Sequence, residues 1–328
     1  MRALVMSGPA PGPELTEVRE VPEPRPGNGQ VTIEVHYAGL NFLDVMARRG
    51  DPGYVPAWPH VGGHEVAGRV HEVGPGVTGL EEGQRVAAFT RGGGFAELAV
   101  ADAASVVPIP DGVAPQIAAA APLMLSSAIL LVRDVARVRE GEVVLMHSAA
   151  GGLGGAVAQL VREFGGLPRI GTVGRAEKVL DAQAAGWDVA FPRSDATPQK
   201  VRAAAGGGVD VVLDPQGTSM LGFDLEVAAP GARIALFGNA AGGVPGPLPT
   251  LGQLIGANVT LAGFSISRLT ATAPHRTADA LGQALTLVAA KRLRPAVTVL
   301  DRLADVPATH QLMAEGRGVG KYVVAVGS

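Results

Sequence analysis

Apolar residues recur with two different periods along the chain. Val31-Thr32-Ile33-Glu34-Val35-His36-Tyr37 alternates strictly, the pattern of a half-buried strand. Short apolar runs at 66–73, Arg85–Phe89 and 95–100 follow, punctuated by Gly-Pro and Gly-Gly turns. Many short strands of this kind predict a compact, barrel-like β-domain. From about Val143 the rhythm changes to strand, then helix. Strands are predicted at Val143–His147, 169–173, 189–191, 209–213, 232–237 and 259–264, with helical stretches such as 177–185 and Pro198–Ala205 between most of them. Six strands with crossover helices predict a doubly wound parallel sheet. The tail adds a helix through Leu281, Leu285, Val288 and Ala289, a second near 308–314, and a closing strand at 322–326. There is no internal repeat and no low-complexity linker.

The most specific stretch lies at the start of the second half. The apolar run Val143–His147 breaks into Ser148-Ala149-Ala150-Gly151-Gly152-Leu153-Gly154, and apolar residues then fall at Leu153, Val157, Leu160, Val161 and Phe164. Strand, glycine turn and helix make the unit that cradles a dinucleotide pyrophosphate. Glycine lets the backbone approach, and the helix start offers N–H groups and a positive dipole end. Alanine stands at Ala149, where the Gly-x-Gly-x-x-Gly pattern has its first glycine. The next strand should end beside the adenosine ribose, where an NAD site wants a carboxylate. This chain has Gly174-Arg175 there, with Lys178 one turn on. Two cations suit a 2′-phosphate, so the expected cofactor is NADPH.

Composition narrows the class. The 328 residues suffice for two domains with their own cores. A hydrophobic content of 47% fits a globular enzyme, and a net charge of −3 argues against a nucleic-acid partner. There are no cysteines, which excludes disulfides, thiolate nucleophiles and cysteine-bound zinc. The apolar part of the N-terminus is too short for a signal peptide, so a cytoplasmic protein is expected. The segment 113–132 carries no charge, but Pro115, Gln116, Pro122, Ser126 and Ser127 interrupt it. Buried helices are expected there rather than a membrane span.

Several short signatures occur in a characteristic order: Ala38-Gly39-Leu40-Asn41-Phe42-Leu43-Asp44, Gly62-Gly63-His64-Glu65-Val66-Ala67-Gly68, Gly93-Gly94-Phe95-Ala96-Glu97, the glycine turn, Asp214-Pro215-Gln216-Gly217, Gly263-Phe264-Ser265 and Gly318-Val319-Gly320-Lys321. Nearly end to end, the chain resembles the medium-chain dehydrogenase/reductase superfamily. It is most similar to the zinc-independent quinone oxidoreductases and the enoyl reductase domains of polyketide synthases. The resemblance implies an α/β fold with a GroES-like β-barrel domain, discontinuous over 1–122 and 267–328, and a Rossmann NADPH-binding domain over 123–266. It also implies a homodimer paired through the edge strand at 259–264.

Zinc-dependent members hold their metal with two cysteines and a histidine. Those positions match Asn41, His64 and the neighbourhood of Ser126–Ser127 here. One imidazole with neutral oxygen ligands does not hold zinc tightly, so no metal is expected. Without a Lewis acid or an evident nucleophile–base pair, the remaining chemistry is hydride transfer to an electron-poor acceptor, a quinone or an α,β-unsaturated carbonyl. The resemblance places Asn41 beside nicotinamide and substrate. Asn41 either donates its amide N–H to the substrate carbonyl or simply caps the helix starting at Phe42. Asp44 fits a local hydrogen-bond organiser or a proton donor. Tyr54 lies in the loop where relatives carry a pocket aromatic and is the phenolic candidate for proton delivery; His60 and His147 are further candidates. Cofactor contacts are expected at Ala149, Gly151, Gly152, Leu153 and Gly154 for the pyrophosphate, and at Gly174, Arg175 and Lys178 for the 2′-phosphate. Ser127, Phe237, Gly238, Phe264 and Ser265 are expected at the nicotinamide half, with Arg193 and Lys321 on the adenosine side. Two alternatives stay open: an enoyl reductase acting on a carrier- or CoA-bound thioester, and a non-catalytic NADPH-binding protein.

Overall fold

A computed structural model describes residues 1–327. The chain divides into two units, Met1–Ser126 with Ser267–Ser328, and Ser127–Ile266. Ser328, the end of the expected 267–328 stretch, lies outside the described residues.

In the first unit the strand Gln30–Leu40 is the centre of a seven-stranded sheet. The order is Val297–Leu300, Lys321–Ala325, Gln30–Leu40, Glu65–Val73, Arg85–Phe89 and Val106–Pro108, with Leu98–Asp102 also on the central strand. Because three strands pair with it, the predicted half-burial is exceeded, and even Thr32 is fully buried. At Val35↔Gly68 the chains come so close that a side chain at 68 would strike the Glu34 carbonyl. Leu4, Val31, Ile33, Val66, Val86 and Val324 lie in the core. The tail strand runs antiparallel to the centre, with Tyr322 opposite Leu40, which carries Lys321 to the end of the central strand. A three-stranded sheet, Thr16–Glu20, Arg2–Met6 and His60–Val61, completes the unit's strands.

The second unit is built on a six-stranded parallel sheet. Its order is Val189–Pro192, Leu167–Val173, Val143–His147, Val209–Asp214, Ala228–Leu236 and Thr260–Gly263. The sheet therefore grows outward in both directions from Val143–His147, and the switch in direction lies between that strand and Val209–Asp214. Ligands in such sheets bind outside the carboxyl ends at this point. Leu145, Ile170, Val212 and Ile234 form the core with Val201, Leu221 and Val227 from the covering helices. Helix Gly152–Glu163 buries Val157, Leu160 and Val161, the stripe its spacing predicted, while Leu153 and Phe164 are only partly buried.

The segment after Val113, uncharged as far as Val132, folds into four short helices, Pro115–Ala119, Ala121–Leu125, Ser126–Ile129 and Leu130–Val135, the second and fourth wound as π-helix, and is buried throughout 118–132. Among the described residues no helix is long and apolar enough to cross a membrane.

Candidate functional site

The glycine turn sits at the carboxyl end of Val143–His147. Ser148 takes a left-handed conformation (φ 61°), and Gly151 caps the helix Gly152–Glu163. Gly154 is required by contact: a Cβ there would lie 2.3 Å from the Ala149 carbonyl oxygen. Ala149 is fully buried, and its N–H donates to Thr172 O at 3.0 Å. Its methyl faces Gly171, where an added Cβ would lie 2.6 Å away. Alanine is accommodated in the first motif position because the adjacent strand supplies the missing space. Gly152 and Leu153 occupy the first turn, whose N–H groups have no intrahelical acceptor.

At the end of Leu167–Val173, Gly174 and Arg175 are exposed and Lys178 is partly buried. Arg175 lies 3.8 Å from Glu177. Burial lowers the Lys178 pKa, and Arg193 and Arg175 lower it further, so the three cations share one field. Arg193 also abuts Gly174, where a Cβ would lie 2.8 Å from its Nη2, and its Nη1 is buried with no hydrogen-bond partner among the described residues. Phe237 and Gly238 follow strand Ala228–Leu236, and Phe264 and Ser265 follow Thr260–Gly263, at the same carboxyl edge. The Phe237 N–H donates to Asp214 O at 3.0 Å, and the Phe264 N–H to Leu236 O at 2.9 Å. Ser127 is buried on the short helix Ser126–Ile129.

The first unit carries a separate polar cluster around Asn41, which caps helix Phe42–Arg49. The Asn41 N–H donates to Asp44 Oδ2 at 2.7 Å. Its side-chain Nδ2 donates to Glu65 Oε1 at 2.8 Å, and its Oδ1 accepts from Lys321 Nζ at 2.6 Å. Lys321 Nζ also donates to Leu40 O at 2.7 Å and to Glu65 Oε1. Glu65 Oε2 accepts the Leu123 N–H at 2.7 Å. Lys321 is 4% exposed with all three donors taken. This corrects the adenosine-side expectation for Lys321, because no N–H remains for a phosphate. Sequence spacing held no hint of the cluster, since its members are 24, 256 and 280 residues apart.

Burial drives the ionisation in this cluster. Asp44 is pushed up to about 7, and His64 down to about 4 by burial and by His60. His64 Nε2 stands 3.9 Å from Asp44 Oδ1, too far for a hydrogen bond, and neither atom has another partner. Tyr54 is partly buried, with its phenol pKa raised by burial and by Asp51.

Residues 27–111 match the family described as alcohol dehydrogenase GroES-like domain, and residues 185–324 the family described as zinc-binding dehydrogenase. The quinone oxidoreductase of Rattus norvegicus is 34% identical over 231 residues, covering 69% of this chain and 70% of that protein. The chain belongs to the medium-chain dehydrogenase/reductase superfamily. Within it, the relatives place the chain in the zinc-independent branch. Escherichia coli quinone oxidoreductase complexed with NADPH superimposes with a TM-score of 0.90 at 25% identity, over 99% of this chain and 100% of that one. The spectinabilin polyketide synthase system protein NorB of Streptomyces orinoci is 34% identical over 91% of this chain, which spans only 13% of NorB.

Zinc is implied by one family description, but the residues here do not fit it. The position of the first metal-binding cysteine is Asn41, whose carboxamide is held between a carboxylate and an ammonium. A divalent cation would have to displace the Lys321 charge. Among the described residues no three histidines or carboxylates group as metal ligands.

Proposed function

We propose that this protein is an NADPH-dependent reductase that delivers hydride, without a metal, to a quinone or to the C=C of an α,β-unsaturated carbonyl. The observation that carries the reading is the convergence of Arg175, Lys178 and Arg193 on the end of the second strand, beside the glycine turn. NADPH, when bound, supplies the hydride.

The residues of the chain supply the rest. The backbone from Ala149 through Gly154 meets the pyrophosphate at a helix start. Gly174 and the three cations meet the 2′-phosphate. Ser127, Phe237, Gly238, Phe264 and Ser265 orient the nicotinamide half. Orientation of this kind contributes about 7–11 kcal/mol to such reactions. As negative charge grows on the acceptor oxygen, a donor is needed there. Tyr54 is the candidate for that role as a partly buried phenol, protonated at neutral pH as any tyrosine is; burial and Asp51 raise its pKa further and make it a hydrogen-bond donor rather than a strong acid. Asn41 and Asp44 serve as organisers in this reading, since the Asn41 amide is engaged at both ends.

A second reading, an enoyl reductase acting on a carrier- or CoA-bound thioester, is favoured by the likeness to NorB over 91% of the chain. A panel of quinones, enones and enoyl thioesters separates the two by kcat/KM.

The cofactor assignment is tested by titrating wild type, Arg175→Ala and Lys178→Ala with NADPH and NADH. A charge-assisted hydrogen bond is worth about 1.5–3 kcal/mol. Either variant should therefore weaken NADPH by roughly ten- to a hundred-fold, with NADH nearly unchanged. Equal wild-type affinity for both cofactors, or parallel losses in the variants, would reject the reading.

A further inference from the structure

The carboxyl edge of the second unit also holds a buried polar chain that the proposed cofactor contacts leave out. His147 closes the strand Val143–His147. Its Nδ1 lies 2.6 Å from Thr172 Oγ1 and its Nε2 2.8 Å from Asp224 Oδ1. His147, Thr172, Asp214 and Asp224 are all fully buried, and the Phe223 ring packs 5.9 Å from the imidazole. Asp214 ends the strand Val209–Asp214, and its Oδ1 accepts the Gln216 N–H at 2.6 Å.

Asp214 and Asp224 lie within side-chain hydrogen-bonding reach of each other, and the Oδ2 of each has no donor among the described residues. Two buried carboxylates this close cannot both ionise near neutrality, and one proton between them satisfies both orphaned oxygens. Arg193 is the cation acting on Asp214 and His147, from the end of strand Val189–Pro192. Burial pushes Asp214 up to about 7, with help from Asp224, and Asp224 up to about 8. Burial also pushes His147 down to about 4, so the imidazole is neutral. In the shared-proton state His147 Nε2–H donates to Asp224, and Nδ1 accepts the Thr172 hydroxyl.

Three members of this chain stand just before loops of the cofactor edge, and the fourth, Asp224, comes from helix Leu221–Val227. His147 precedes the glycine turn, Thr172 precedes Gly174 and Arg175, and Asp214 precedes Pro215-Gln216-Gly217. Gln216 Nε2 reaches back to Ser148 Oγ at 2.8 Å. The network therefore ties together the carboxyl ends of three adjacent parallel strands.

We propose that a proton shared between Asp214 and Asp224 is a structural part of the dinucleotide site. Through His147 and Thr172 it holds the three strand ends in place, and its loss weakens binding of the whole dinucleotide. Asp214, Asp224 and His147 act here as positioning residues, and the inference rests on the dinucleotide reading above.

The experiment measures NADH and NADPH dissociation constants for wild type and Asp224→Asn from about pH 6 to about pH 9.5. NADH lacks the 2′-phosphate, so it reports on this network without Arg175 and Lys178. Wild type should lose affinity for both cofactors in parallel at alkaline pH, by up to about ten-fold per pH unit, the limit for one linked proton. The carboxamide introduced by Asp224→Asn has no such proton to release, so the variant should bind NADH with a flat profile. In the cofactor-free wild type, the infrared spectrum should contain a protonated carboxylic acid band that the variant loses. If Asp224→Asn does not fold, Asp214→Asn makes the same test, and the wild-type NADH profile is decisive without either. Binding that is present but independent of pH in wild type, or equally pH-dependent in the variant, overturns this proposal alone. Absence of dinucleotide binding at every pH overturns the dinucleotide reading, and this proposal with it.

Discussion

Replacing Lys321 by methionine isolates the contribution of the buried ammonium. Lys321 and Glu65 are 4% and 0% exposed at their side chains, so water does not screen the charge left behind. Lys321→Met leaves the buried Glu65 carboxyl without its cation, with Asn41 Nδ2 and the Leu123 N–H as its remaining donors. It also removes the donor to Leu40 O and Asn41 Oδ1. Removing one partner of a buried pair costs about 3–5 kcal/mol. That is a large share of the roughly 5–15 kcal/mol typical of a folded protein. At about 2–4 °C per kcal/mol for a unit of this size, Tm should fall by about 6–20 °C. The double variant Lys321→Met/Glu65→Gln carries no orphan charge. Its single amide oxygen cannot serve both Asn41 Nδ2 and the Leu123 N–H, so one donor is left over at about 1–3 kcal/mol. The double variant should therefore be more stable than Lys321→Met alone, a sign that additive behaviour does not give. Urea unfolding followed by circular dichroism measures both. A single variant within about 1 kcal/mol of wild type, or a double variant no more stable than the single, would refute the reasoning.

Gly154→Ala should damage the pyrophosphate turn, because its Cβ meets a backbone oxygen at 2.3 Å, and NADPH affinity should fall at least ten-fold. Gly155→Ala meets only the Ala185 methyl at 3.5 Å and should be neutral or stabilising by up to about 1 kcal/mol in the same titration and unfolding assays. Asp44, raised from its ordinary value to about 7, makes the folded state hold a proton that the unfolded chain releases, so stability drains away as pH rises from about 4 to about 7. Asp44→Asn should remove that slope and compare more favourably with wild type at pH 8 than at pH 5 in denaturant titrations; equal differences at the two pH values would count against it. The purified protein should contain no stoichiometric zinc, and chelators should leave NADPH oxidation unchanged; one zinc per chain, lost together with activity, would contradict this. Thr260–Gly263 is the outer strand of its sheet, and paired across a two-fold it would make a dimer, which light scattering at micromolar concentration should detect in place of a monomer.

Whatever depends on neighbours in the chain was legible from residue order alone. The run Val143–His147, the glycine turn and the stripe on Gly152–Glu163 are local patterns, so both the dinucleotide edge and the positions of Arg175 and Lys178 could be read directly. The parallel sheet followed because helical stretches could be read between most of its strands. The strand Thr16–Glu20 escaped notice because four of its five residues are exposed, which leaves no apolar period to detect. What the isolated polar residues do was settled by packing. Lys321, ahead of the predicted closing strand, was expected on the adenosine side of the cofactor, yet antiparallel pairing against Leu40 turns it inward onto Glu65 and Asn41. Likewise His147, Asp214 and Asp224 carry no shared motif, and only the packing of helix Leu221–Val227 on the parallel strand ends brings them together. Their ionisation follows from burial, a property of the packed whole that residue order does not contain.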